Sequence, residues 1–422
     1  MSTLDLALNY DDLGSCQSKE IIKELETKLN EDKLFKNLLI ESLLIAQSQG
    51  ESELEKNLYE RLEWPTNGME YLTYLKHFAK WIPRPYHAME AWKANHPPTH
   101  DQAYDKMCHF HFLISHGSVL QDEWFVNWHI RYSRAWGTFL NTPESFNEEI
   151  LEDFLLNAPL YEVRDSMISD DGGVTLRSNN PSGWLTFNQF FARELNPGLR
   201  PIASRVNNHI ICSPADCTFR EMFNIDEESK IPQITIKNTH RFGSIPELLM
   251  GHDDFSRRLG EPFATAFAGG KFVHYFLGPY SYHRFHAPVS GMVKACYHIH
   301  GRTYLDVGVK NQQFDAPDSA ADGYEFRQAR GVLILDTSNS EDGDVGLVAV
   351  LPIGMTHVSS VNMSAQAGYN LHKGDEFGYF LFGGSDIIIL FQRNRVQHID
   401  DDPIYRRYGQ RIASMLSAGH SS

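Results

Sequence analysis

Three segments in the second half of the chain carry the residue types that acid–base and nucleophilic chemistry need. Ser213-Pro214-Ala215-Asp216-Cys217 follows a short apolar run and sets one carboxylate just beyond a proline turn. Read alone, Asp216 serves as a solvated turn residue or an Asx cap as readily as a functional carboxylate. Tyr282 to Gly291 holds His283 and His286 three apart among aromatic residues. That spacing is open to an acid/base pair or to metal ligands, and a metal needs third and fourth ligands. His298 and His300 alternate on a predicted strand and so share a face, which permits a metal without completing a recognisable set. Lys373 to Asp386 ends in Gly383-Gly384-Ser385, a turn between two apolar runs. It reads either as a glycine-rich hairpin with a solvent-facing serine or as a strained Gly–Ser bond with a nucleophilic hydroxyl.

The elements that must position these residues form two regimes. From about 18 to 170 the pattern is helical: Ile21, Ile22, Leu25 and Leu29 recur at helix spacing, and the run continues through Leu34, Leu38 and Leu39 to Ala46 and stops near Gly50. Thr142-Pro143-Glu144 reads as a helix start, with Phe146, Ile150, Leu151, Phe154 and Leu155 on one face of the helix it opens. Trp64, Trp81, Trp92, Trp124, Trp128 and Trp136 lie between and are read as core packing, in preference to a pocket for a flat substrate. Residues 165–183 form a polar Gly/Asn/Pro-rich joint, followed by a short helix over Leu185–Glu194. From 208 onward strands dominate, at Ile210–Cys212, Lys271–Leu277, Val293–His300, Val332–Leu335, Val345–Leu351 and Ile387–Phe391, with an irregular loop between 311 and 330. The expectation is an α+β chain: a helical domain over 1–175, then a β-rich, sandwich- or barrel-like domain over 176–422.

Composition excludes more than it names. Lys and Arg number 38 against 54 Asp and Glu, a net charge of −16. Such a surface repels nucleic acid and anionic membranes, and neither is expected as a partner. No apolar stretch reaches the roughly 18 residues that span a bilayer. Met1 to Asp12 lacks a basic n-region, so no signal peptide is expected. Five scattered cysteines do not make a disulfide framework, and a cytoplasmic location fits them best.

Taken together and in order, these segments resemble the phosphatidylserine decarboxylase family. Leu185 to Pro201 resembles the family's first segment, Ser213 to Asp216 its aspartate motif, and Tyr282 to Gly291 its histidine motif. Pro352 to Ser360 and Lys373 to Ser385 resemble its last two. The likeness covers about 182–395. In the helical half, Asn127 to Leu140 resembles a segment of the soluble branch that includes fungal L-tryptophan decarboxylases, which also carry a helical N-terminal domain.

The resemblance implies an enzyme, a carboxy-lyase that makes its own pyruvoyl cofactor and needs no metal. Ser385 would attack the Gly384 carbonyl, the chain would be cut between Gly384 and Ser385, and Ser385 would become the pyruvoyl. His286 is implied as the base, Asp216 as its orienter and His283 as the acid that protonates the decarboxylated carbanion. A substrate amine would form a Schiff base with the pyruvoyl ketone, which acts as electron sink. The expected substrate is a small molecule, a free amino acid, aromatic by the second resemblance, such as L-tryptophan going to tryptamine. Phosphatidylserine, giving phosphatidylethanolamine, is the alternative. A non-catalytic binding protein with a silenced site, and a metal enzyme using His283, His286, His298 and His300, stand outside the family chemistry. A homo-oligomeric state is left open. Two positions depart from the family pattern: Cys217 replaces a glycine and Asp386 a hydroxyl residue. An extra carboxylate beside Ser385 is expected to repel Asp216 or raise the pKa of His286, slowing self-processing or making it pH-dependent.

Overall fold

The computed structural model describes residues 10–85, 102–167, 184–236, 241–303, 305–316, 323–354, 360–382 and 385–415. It is α+β and divides into two compact units. One gathers the described chain up to Phe190 and also takes in the 303–317 stretch; the other begins at Phe191 and holds most of the later chain. The division falls later in the chain than the 175/176 joint expected from composition, and most of that joint, 168–183, lies outside the described residues.

The helical unit is built on stripes of large apolar residues. Its first long segment is two helices, Tyr10–Glu31 and Lys33–Glu53, rather than the single run expected through Gly50. The break comes at Asp32, whose side chain accepts a hydrogen bond from the Phe35 N–H and caps the second helix. Thr142-Pro143-Glu144 also differs from expectation. It opens only a single 3₁₀ turn, and the helix proper starts at Glu148 under an Asn147 cap that accepts from the Ile150 N–H. Thr142 is engaged otherwise, its hydroxyl donating to the Phe139 carbonyl. The tryptophans pack as the core reading expects. Trp128 and Trp136 are fully buried on helix Glu123–Phe139, and each indole N–H finds a carbonyl, of Ile21 and of Trp81. Trp92 lies outside the described residues. The loop expected over 311–330 contains a strand, Gln313–Asp315, which pairs with Gly308–Lys310 as a hairpin. The hairpin packs within the helical unit: Gln312 accepts from the Glu55 N–H, and Phe314 sets its ring edge-on to Phe112.

The second unit is organised by one eight-stranded antiparallel sheet. Its order is Asn370–Leu371, Gly291–Ile299, Arg330–Asp336, Leu347–Gly354, Ser385–Phe391, Lys271–Leu277, Cys217–Asn224 and Tyr405–Arg406. Ile387-Ile388-Ile389-Leu390-Phe391 is apolar without alternation, because both faces of this central strand are buried. Ile388 and Leu390 join Phe272, Ile334, Ala349 and Leu351 in a large apolar cluster, which is closed by Ile231, Ile234, Ile245 and Leu248 from outside the sheet. A three-stranded sheet of Val361–Met363, Glu376–Phe380 and Arg284–His286 carries the histidine motif beside the Lys373 segment. Among the described residues no helix is long and apolar enough to cross a membrane.

Candidate active site

Ser385 is the first residue of the central strand. It stands opposite Leu277 on one neighbouring strand and Gly354 on the other. Residues immediately after Gly384 are therefore locked into the middle of the sheet. Gly383 and Gly384 themselves lie outside the described residues, as do 355–359 of the Pro352 segment.

His286 ends a short strand at the edge of this region and is almost fully buried. Its Nδ1 lies 2.9 Å from the Gly374 carbonyl. A carbonyl only accepts, so Nδ1 holds the proton and the lone pair is on Nε2. That lone pair accepts from the Tyr282 hydroxyl at 3.0 Å. Burial pushes His286 down to about 4, and the nearby Arg284 adds to the shift, against the opposing pull of the Gly374 hydrogen bond. The ring is therefore a neutral base throughout the physiological range. Its face lies flat on Tyr408, with centroids 3.8 Å apart and planes within 4°.

Asp216 does not touch His286 through its carboxylate, contrary to the expected orienter contact. Both its oxygens are taken elsewhere. Arg200 Nη2 lies 2.9 Å from Oδ2, and the Tyr408 N–H donates to Oδ1 at 2.7 Å. Arg200 and Asp216 are both buried, with side chains 2% and 1% exposed, which makes this a desolvated pair. The link from Asp216 to His286 is indirect: the carboxylate fixes the Tyr408 backbone, and the Tyr408 ring fixes the imidazole plane. The backbone adds a second tie, since the His286 N–H donates to the Pro214 carbonyl at 2.7 Å. Cys217 is a buried thiol 3.2 Å from the Ser213 hydroxyl and is held neutral, its pKa pushed up to about 12 chiefly by burial.

His283 is fully buried and stacks on Phe191 at 3.9 Å, with Phe382 edge-on to the same phenyl ring. Its Nε2–H donates to the Pro279 carbonyl. Burial, reinforced by Arg193, lowers its pKa to about 3, so it too is neutral at pH 7. A proton donor at this position needs a nearby negative charge to bring its pKa back up.

Lys373 was legible as part of a motif but not as a clamp. Its ammonium is buried and donates to the carbonyls of Ser204, Asn207 and Ile210. Gly374, the next residue, supplies the carbonyl that sets the His286 tautomer. Lys373→Met therefore strands three carbonyls and loosens His286; unfolding in urea at pH 7 should show a loss of about 2–3 kcal/mol.

The expectation for Asp386 is not met. Its carboxylate faces His274 and Tyr324, neither of which belongs to the Asp216–His286 group, and the charge that acts on His286 comes from Arg284. The alternative metal set is not assembled either. His298 and His300 contact each other edge-on, and among the described residues no group of three or more His, Cys, Asp or Glu side chains is arranged to hold a metal ion.

The neutral state of His286 gives a pH test. If it is the base for cleavage, the rate of chain cutting stays flat within about twofold from pH 8 to 5.5 and falls only as pH approaches 4. Intact-mass time courses of freshly refolded protein check this; half-loss near 6.5 would assign the step to an unperturbed histidine. The same shifts set stability. His283 and His286 have folded pKa values below the unfolded 6.5, so their contribution is complete above 6.5 and is lost as pH falls towards 3–4.

The profile of the family described as "Phosphatidylserine decarboxylase" matches residues 187–414, more than half of the chain. "Phosphatidylserine decarboxylase proenzyme 2" of Oryza sativa subsp. japonica is 32% identical over 289 residues, covering 68% of this chain and 40% of that protein. The "Phosphatidylserine decarboxylase proenzyme" of Fusobacterium nucleatum is 33% identical, covering 52% of this chain and 64% of that one. "Decarboxylase iboD" of Amanita muscaria is 24% identical over 314 residues, 68% of this chain and 82% of its own length. The chain thus spans about two fifths of the rice relative and most of the Amanita one. With the aspartate motif, the histidine motif and Ser385 carried on one β-rich unit, the chain belongs to the phosphatidylserine decarboxylase family, a family of pyruvoyl-dependent carboxy-lyases.

Proposed function

We propose that this chain is a self-processing pyruvoyl-dependent decarboxylase of a free amino acid, with its chemistry in the 176–422 region and a helical region, 1–175, before it. The observation that carries the reading is the placement of Ser385, directly after Gly384, at the start of the central strand. A serine there fits a self-made cofactor: the strand holds the residue from its C-terminal side, and the glycines before it leave room for attack on their carbonyl.

In the processing step the Ser385 hydroxyl attacks the Gly384 carbonyl and the peptide N–C bond gives way to an ester. Loss of the Ser385 Cα proton expels the Gly384 carboxylate, and water replaces the resulting imine nitrogen, which leaves as ammonia. His286 supplies the basic site. Tyr282 sits on its lone pair and stays a neutral phenol, its pKa raised far by burial, so a proton from Ser385 reaches Nε2 by way of the Tyr282 hydroxyl or after it turns aside. Asp216 holds the geometry through Tyr408. The pyruvoyl ketone supplies an electrophile for an amine and a sink for the electrons left by departing carbon dioxide. His283 then holds the proton to be delivered. Its neutral state in the uncut chain makes a substrate carboxylate the charge that raises its pKa into the working range.

The substrate is read as an aromatic amino acid such as L-tryptophan. Supporting this, His283 stacks on Phe191, and Phe382, the last aromatic residue before Ser385 in the sequence, lies edge-on to that ring. Phosphatidylserine is the second reading, favoured by the names of the rice and Fusobacterium relatives. Both substrates present the same α-amino carboxylate. Free thiols at Cys108, Cys212, Cys217 and Cys296 support a cytoplasmic setting. Carbon dioxide release from L-tryptophan, L-tyrosine, L-phenylalanine and phosphatidylserine vesicles, each normalised to pyruvoyl content, tests the assignment. Release from vesicles alone would replace the amino-acid reading with the lipid one.

A further inference from the structure

Asp386 is the residue directly after the cleavage serine, and the structure gives it partners that the processing machinery does not use. It shares a sheet face with Ile388 and Leu390 of the large apolar cluster. On that face His274 of the neighbouring strand stands opposite Ile388, and Glu221 of the next strand stands opposite His274. His274 Nε2 lies 3.3 Å from Asp386 Oδ1, and both side chains are fully buried. The Tyr324 hydroxyl donates to Asp386 Oδ2 and lies 3.3 Å from His274 Nε2. Burial opposes a charge on His274, but Asp386, with Glu325 and Glu221 behind it, outweighs burial and moves the imidazole upward. Glu325 is also fully buried. Burial lifts its pKa to about 8, and the neighbouring His274 opposes that lift.

A buried polar cluster of this kind is a weak stability device, because apolar residues of similar volume do as well. Its position suggests another use. Cutting before residue 385 turns the Ser385–Phe391 strand into a chain end, and chain ends fray unless they are tied down. His274 and Tyr324 both lie on the large fragment, whereas Asp386 lies on the small one. The contacts therefore cross the cut at the second residue after it.

We propose that His274 and Tyr324, acting through Asp386, are positioning residues that pin the new chain end after self-cleavage and hold residue 385 in register for turnover. The proposal rests on the Ser385 reading above. It treats the family-atypical aspartate as a tether across the cut rather than as a silencing charge.

The test compares hydrogen exchange of peptides covering 386–391 in four full-length proteins: wild type, Asp386→Asn, Ser385→Ala, and Ser385→Ala with Asp386→Asn. Intact mass first establishes which are cut. In cut protein, Asp386→Asn should speed exchange at least tenfold. In the uncut Ser385→Ala background, where the peptide bond still holds the strand, the same change should speed it less than threefold. In cut Asp386→Asn, kcat per pyruvoyl should fall at least tenfold with KM within twofold, on whichever of L-tryptophan or phosphatidylserine vesicles the wild type turns over. A fifth protein, Tyr324→Phe, keeps the Asp386–His274 contact and should show a smaller acceleration in cut protein. Equal acceleration in cut and uncut backgrounds, or none in either, overturns the tether. An uncut Asp386→Asn also overturns it, by placing the pair in the cleavage step itself. An uncut wild type instead fails the Ser385 reading, and intact mass reports that before any exchange is measured.

Discussion

Ser385→Ala is expected to remain one 48.2 kDa chain and to release no carbon dioxide above background, a loss beyond about 10⁴-fold, while the wild type separates into 1–384 and 385–422. The size of the effect comes from the chemistry. On the proposed reading every electronic step at the substrate runs on a group made from this residue, and alanine has neither the oxygen that attacks nor the leaving group that elimination needs. The fold should be spared, since the strand pairs through its backbone and its apolar run begins at Ile387. Far-UV circular dichroism and the urea midpoint should therefore match the wild type within about 1 kcal/mol, typical of changes that disturb no core packing. Mass spectrometry of the 385–422 fragment should find a blocked N-terminus. A wild-type fragment with a free N-terminal serine would mean ordinary proteolysis and would remove the basis for a pyruvoyl. Ser385→Cys is a useful companion. A thiol attacks well, so cutting should persist at a changed rate, and this separates the need for a nucleophile from the need for serine itself.

Much of this architecture was legible because long apolar runs declare themselves. Ile387–Phe391 reads as a strand from five consecutive apolar residues, and a strand buried on both faces is what the structure contains. The helix boundaries were less legible, because capping is a competition between neighbours. Thr142-Pro143 has the composition of a helix start, yet Asn147 lies closer to the apolar stripe of Ile150 and Phe154 and takes the cap. The candidate residues stand out in the sequence, and the wiring between them does not. Asp216, His283, His286 and Ser385 each stand out by type and by likeness to a family. Their partners do not, because the contacts are tertiary. Arg200 sits in a Pro/Gly-rich segment where an arginine looks solvated, and only folding brings it onto Asp216. Tyr408 is distant from His286 in sequence and meets it face to face. His274 lies inside the Lys271–Leu277 strand, where an isolated histidine reads as packing until Asp386 is found beside it. The one signal in the sequence was the oddity of Asp386 itself: a carboxylate opening an apolar strand demands a partner on the neighbouring strands.

Breaking the Arg200–Asp216 pair should give the largest stability effect of any substitution named above. Arg200→Met leaves a carboxylate 1% exposed with only the Tyr408 N–H to compensate it, and removing one member of a buried pair typically costs about 3–5 kcal/mol. Guanidinium unfolding at pH 7 measures it, in the Ser385→Ala background so that cutting does not complicate the transition. The double variant Arg200→Met with Asp216→Leu should recover most of that loss, because two apolar groups of similar size remove both uncompensated charges. Cleavage should not recover with it. Returned to the Ser385 background, the double variant still lacks the carboxylate that holds the Tyr408 N–H, and the ring lying flat on His286 loses its anchor. Chain cutting should remain at least about tenfold slow, in the range expected when a group that aligns a base is lost. The two readouts therefore separate two roles that coincide in the native pair. If the double variant regains stability and also cuts at the wild-type rate, Asp216 is a counter-ion for Arg200 and nothing more. If stability returns while cutting stays slow, the aspartate of this motif orients the histidine through the Tyr408 backbone rather than through a hydrogen bond to the ring.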